Sequence, residues 1–260
     1  MATAPAAQTE RTIWHVRGTW NARDDRTAYA VWLGILWLGM IAGFGLDFPT
    51  YLGQKPPAPA IVHVHAAVFT VWMLILTAQV MLVMTDHVRL HRKMGLFAAG
   101  WACVMVVVGP WTAMAWQAVH VQKFMLPPQF LMINLLDIVA FVILLSCGLA
   151  LRKNPAAHKR MMILATVSLA DPGFARIPKH LLEWKPATPF GLFWFVYYGD
   201  VLLIALMAAW DWRKGRLMRQ FVLGAGGLLA AQWVTAMLYF WPPWQAMSLR
   251  WVEAWARRFG

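Results

Sequence analysis

The 260-residue chain is 60% hydrophobic and only 13% charged, against roughly 25% charged in a soluble domain, and this excludes an ordinary water-soluble fold. The net charge of +12 does not point to nucleic acid, because the Lys and Arg residues cluster in short loops between apolar runs, where lipid headgroups and the orientation rule for inserted helices account for them. Cys103 and Cys147 show no CxxC or metal-ligand spacing and read as small, buried apolar residues.

The apolar runs reach the 18–20 or so residues that a helix needs to cross hydrocarbon. They define an all-α integral membrane bundle of about seven transmembrane helices. Residues 1–27 form a polar segment without the apolar core of a signal peptide. The first span is expected at 28–46, ending at Asp47-Phe48-Pro49, and a Pro-rich loop leads to a second at 60–85. The loop from Asp86 to Lys93 turns into a third helix at 94–118, with Pro110 as its kink. Further spans are predicted at 128–151, 157–176, 189–211 and 217–241, which places the membrane domain at 28–241. The tail 242–260 is predicted to lie in the interface as an amphipathic helix. Gly224, Gly226 and Gly227 suggest close helix contact in the last span.

With the N-terminus inside, 15 of the 23 Lys and Arg fall on the inner side and 8 on the outer. The bias predicts a cytoplasmic N-terminus and an external C-terminus. The 17 tryptophans, many near span ends, fit interfacial belts.

Three acids lie within spans: Asp137, Asp171 and Asp200. A carboxylate at membrane depth costs roughly 2.5–3.5 kcal/mol on insertion scales, so each needs a partner or a wet cavity. At 1.5 Å per residue, Asp137 and Asp200 lie about 14 and 17 Å below the outer ends of their helices, and Asp171 about 21 Å from the inner face. Pro172-Gly173 loosens the helix beside Asp171, and Arg176 is its expected partner. Asn134, Tyr197 and Ser168 each precede one of the acids by three residues and share its face. His63 and His65 open the second span. With Asp137 they form the candidate metal set, although residues two apart on a regular helix point roughly opposite ways.

Imidazole and carboxylate together suit a transition metal ion or proton transfer. A second set, His87, His91 and His158, lies at the inner face, and there His91 and His158 are the candidate ligands of a single b-type haem. No HExxH, GxSxG, P-loop or Rossmann fingerprint is present. Three functions follow as expectations: a metal- or haem-dependent redox enzyme with Asp137, Asp171 and Asp200 as catalytic groups, a proton-coupled carrier, or a non-catalytic assembly protein. The expected partners are the lipid bilayer, a small-molecule or lipid substrate and a second copy of the chain, with no nucleic acid.

The runs His63-Val64-His65-Ala66-Ala67, Leu90-His91-Arg92-Lys93-Met94-Gly95 and His158-Lys159-Arg160-Met161-Met162, together with Asp137, Asp200 and Asp211, resemble a group of bacterial polytopic inner-membrane proteins of no established activity. The resemblance covers the second to sixth spans and implies a bacterial inner-membrane protein. Such proteins often carry a His after the sixth span, where this chain has Arg216-Leu217-Met218.

Overall fold

Hydrocarbon offers no hydrogen-bond partners, so an apolar run that enters it must satisfy its own backbone, and a helix does so within one segment. The computed structural model describes residues 22–55, 57–121 and 128–259, and these are helical with no strand among them. The expected N-terminal segment as far as residue 21, and Lys123 among the outer-side cations, lie outside the described residues.

The helices are α1 (Ala22–Gly53), α2 (Ala60–Met84), α3 (Val88–Val121), α4 (Leu131–Ala150, entered by a 3₁₀ turn at Pro128–Phe130), α5 (Pro155–Val167), α6 (Asp171–Leu181), α7 (Pro189–Arg213), α8 (Arg219–Tyr239) and α9 (Pro242–Phe259). Six of them, α1 to α4, α7 and α8, are long and apolar enough to cross a membrane. Leu38, Ile41, Leu96, Phe97, Val107 and Ile143 are exposed along these helices. Apolar surface on that scale is what lipid covers.

The expected span 157–176 is not one helix. Asn154 caps α5, its side chain accepting the Ala157 N–H at 3.2 Å, with Pro155 at the first helical position. The helix ends at Val167, and the chain restarts as α6 at Asp171. Pro172 sits in the first turn of α6, where its missing N–H costs nothing. The two halves still traverse the bundle, as their partners on α1 show. Lys159 on α5 pairs with Asp25 near one end of α1. Arg176, Lys179 and His180 on α6 pair with Asp47 near the other. Asp25 and Asp47 are 22 positions apart, about 33 Å of helix, which matches a hydrocarbon core of about 30 Å.

Glycines set the α6 position. A Cβ on Gly43 of α1 would strike the Gly173 carbonyl, and one on Gly39 would strike the Phe174 ring. Across α6, a Cβ on Gly199 of α7 would strike Phe174 as well. The first turn of α6 is thus wedged between a Gly39-xxx-Gly43 stripe and Gly199, a close approach that only small residues permit. Of the glycines expected to make close contacts in α8, Gly224 does so, with Met161 Sδ 3.1 Å from where its Cβ would be, whereas Gly226 and Gly227 face open space.

Several boundaries and burials differ from expectation. α1 starts at Ala22, inside the expected polar segment, and passes through Pro49 near its C-terminal end, where the missing N–H forfeits one i→i−4 bond. Cys103 and Cys147 are exposed on their helices and so face outward, not into the core. Trp32, Trp72 and Trp244 are buried, and three tryptophans, Trp72 among them, fasten helices together. Trp72 Nε1 donates to Thr166 Oγ1 at 3.3 Å, Trp37 Nε1 to Thr77 Oγ1 at 3.0 Å and Trp101 Nε1 to the Val68 carbonyl at 2.9 Å. The tail is the expected amphipathic helix, α9, which buries Trp244, Ser248 and Val252 on one face.

Candidate functional site

The three intramembrane acids come from three helices and meet at the α5–α6 interruption. Asp137 is on α4, Asp171 begins α6, and Asp200 lies on α7 beside Gly199, against which Phe174 packs. Asp137 feels the charge of Asp171 and Asp200, and Asp200 that of Asp171. The Tyr197 hydroxyl lies within electrostatic reach of all three. None of the acids opens to solvent in this conformation: Asp137 is 7% exposed, Asp171 2% and Asp200 fully buried.

Partners are few. Gln232 Nε2 on α8 donates to Asp200 Oδ2 at 2.6 Å. No described Lys, Arg or His forms an ion pair with any of the three acids. Asp171 Oδ1, Asp200 Oδ1, Gln232 Oε1 and the Tyr197 hydroxyl are buried without a hydrogen-bond partner. Each such atom costs about 1–3 kcal/mol, so the cluster opposes stability as it stands and is suited to taking up protons or donor groups.

Arg176, expected beside Asp171, influences it only at a distance. Its Nε donates to Asp47 Oδ2 at 2.8 Å and its guanidinium lies 4.3 Å over the Phe44 ring. Ser168 is also turned away, its Oγ donating to the Ala165 carbonyl at 2.9 Å.

The expected His63–His65–Asp137 metal set does not assemble. α2 is a regular helix from Ala60, so the two imidazoles diverge. His63 is exposed and bonds the Tyr51 hydroxyl through Nδ1 at 3.1 Å. His65 stacks on Phe69 at 4.0 Å, with Nδ1 buried and unpartnered. Among the described residues, no group of three or more His, Cys, Asp or Glu is arranged to hold a metal ion.

His91 and His158 do come together, their ring centroids 6.3 Å apart and nearly perpendicular. His158 Nδ1 donates to the Gly148 carbonyl at 2.8 Å, which leaves Nε2 as its open nitrogen. Gln79 of α2 lies against His91 and Gly95. His87 stands apart, bonded to Thr85 Oγ1 at 2.9 Å.

One cluster and two buried glutamines were not anticipated. At the Asp25 end, Arg160 makes a two-pronged bond to Asp211, through Nε at 2.6 Å and through its terminal nitrogen, and donates to the Ala156 carbonyl at 2.8 Å. Lys159 and Arg216 converge on Asp25. Asp211 and Arg160 are almost wholly buried, so this lattice joins α1, α5 and α7 away from water. Gln232 was missed at the acid cluster, although a glutamine in mid-span is itself a signal. Gln117 on α3 is fully buried with both amide atoms unpartnered.

Compared with known proteins, the chain matches no family model, no curated protein and no solved structure.

Proposed function

We propose that this multi-pass membrane protein is a proton-linked carrier in which Asp137, Asp171 and Asp200 take up and release protons at the break in a discontinuous helix. The observation that carries the reading is the meeting of three buried acids at the α5–α6 interruption with no basic side chain among the described residues bonded to them. Three uncompensated negative charges are untenable in a low-dielectric interior, so protons or bound cations neutralise them. Broken helices near the bilayer midplane are where secondary carriers place coupling sites, because the interruption frees backbone groups and a hinge together. The acids are near enough to feel one another yet do not form a metal-ion ligand shell, which favours proton exchange over a transition-metal centre. The charge bias supports an N-terminus in the cytoplasm, and the resemblance of the HVHAA, LHRKMG and HKRMM runs supports a bacterial inner membrane.

Infrared spectroscopy of the protein in lipid, titrated with pH, tests the proton chemistry without knowledge of the solute. A carboxylic-acid C=O band that titrates, and loses amplitude in each of Asp137→Asn, Asp171→Asn and Asp200→Asn, is expected. Proteoliposomes given a pH gradient then report coupled solute movement that Asp200→Asn abolishes. A spectrum without a titrating band, unaltered by all three substitutions, overturns the proposal.

A further inference from the structure

The unpartnered atoms of the acid cluster have a common character. Asp171 Oδ1, Asp200 Oδ1 and Gln232 Oε1 are acceptor positions, and the fourth atom, the Tyr197 hydroxyl, both donates and accepts. Their side chains are at most 2% exposed. Gln232 is held by its bond from Nε2 to Asp200, so its free oxygen stays beside that carboxylate. Tyr197 precedes Asp200 by three residues on α7 and shares its face. Phe174 follows Asp171 by three residues, and its ring lies against Gly199, so an aromatic wall adjoins both acids. What such a group lacks is a cation with several N–H donors.

We infer that the cluster of Asp171, Asp200, Tyr197 and Gln232 binds a monovalent nitrogen cation, ammonium or a small primary amine, in exchange for a proton. The inference rests on the carrier reading and names its cargo. An ammonium group offers three or four N–H donors to match the acceptors, and an aromatic ring beside the carboxylates suits it further. An anion is refused by the acids. A transition metal lacks its ligand shell among the described residues.

The exchange balances in charge. A carboxylic acid gives its O–H proton to water, and the resulting carboxylate oxygen accepts an N–H from the incoming cation. One positive charge enters as one leaves, and no covalent bond to the cargo forms. Because the same oxygens hold either the proton or the cation, the two compete, and competition for one site is what couples their movements in opposite directions.

The full chain in lipid nanodiscs, in weak buffer with a pH indicator, provides the test, with methylammonium chloride as the probe. Saturable proton release is expected, lost in Asp200→Asn and shifted roughly tenfold to higher concentration in Tyr197→Phe, the effect of one lost hydrogen bond to a charged group. Asp86→Asn, in an exposed ion pair with Arg26 at the Asp25 end of α1, leaves it unchanged. Should Asp200→Asn fail to fold, the Tyr197→Phe shift decides alone. Equal release by sodium or potassium chloride at the same concentration overturns the inference in favour of an alkali-metal site. No release with methylammonium, while the carboxylic-acid infrared band still titrates, overturns the inference and leaves the carrier reading standing; loss of that band removes both.

Discussion

Gln232 and Asp200 face each other across α7 and α8 with a single bond of 2.6 Å between them, and each keeps one oxygen unpartnered. The pair is therefore half satisfied, bonded on one side and open on the other. Gln232→Leu removes the only described donor to Asp200 and is expected to destabilise the protein by about 1–3 kcal/mol. The double variant Gln232→Leu/Asp200→Leu removes both polar groups and should recover much of that loss. Thermal unfolding of wild type, Gln232→Leu, Asp200→Leu and the double variant in detergent measures the coupling; additive effects contradict the pairing.

Arg160 and Asp211 make a different kind of contact, buried and two-pronged. Removing one member strands a charge, so Asp211→Asn should cost about 3–5 kcal/mol, whereas replacing both by apolar residues is near neutral or stabilising. Arg160→Met/Asp211→Leu melting above Asp211→Asn is the expected outcome. The opposite order would mean that the neighbouring Asp25 and Lys159 depend on the pair for their own placement.

At Gly43 the next helix leaves no room, because an added Cβ meets the Gly173 backbone, which cannot swing aside as a side chain can. Gly43→Ala should destabilise by about 1–3 kcal/mol as α6 is pushed off α1. Gly45→Ala, with open space around its Cβ, should not destabilise and serves as the control. A shift in unfolding temperature for Gly43→Ala alone verifies the wedge.

Cys103 and Cys147 are exposed on the α3 and α4 surfaces, within helices long and apolar enough to cross a membrane. In intact membranes a charged, water-soluble thiol reagent should label neither, and both should react once the protein is unfolded in detergent. Rapid labelling in membranes would move these helix faces out of the lipid.

The membrane class and the positions of the unbroken spans were legible because twenty apolar residues in sequence have few other fates. The three acids were legible for the same reason, since a carboxylate in such a run stands out. The α5–α6 break was visible only as Pro172-Gly173. Its position, before Asp171, depends on α1 presenting Gly39 and Gly43 at the matching height, a coincidence between distant segments. Gln232 escaped notice because an amide disturbs an apolar helix less than a charge does. His63 and His65 misled in the other direction: two positions apart in sequence, they are turned apart by the helix that carries them.

Asp25 and Asp47 give α1 a further meaning. One continuous helix is fastened to the near half of a broken one at its first end and to the far half at its second. α1 is thus a splint across a fracture. Any bending at Ser168–Ala170 must release one fastening or the other, and the two lie at opposite ends of the helix. On the carrier reading, whichever let go would decide the side toward which the fracture opens, so a single rod would keep both sides from opening together.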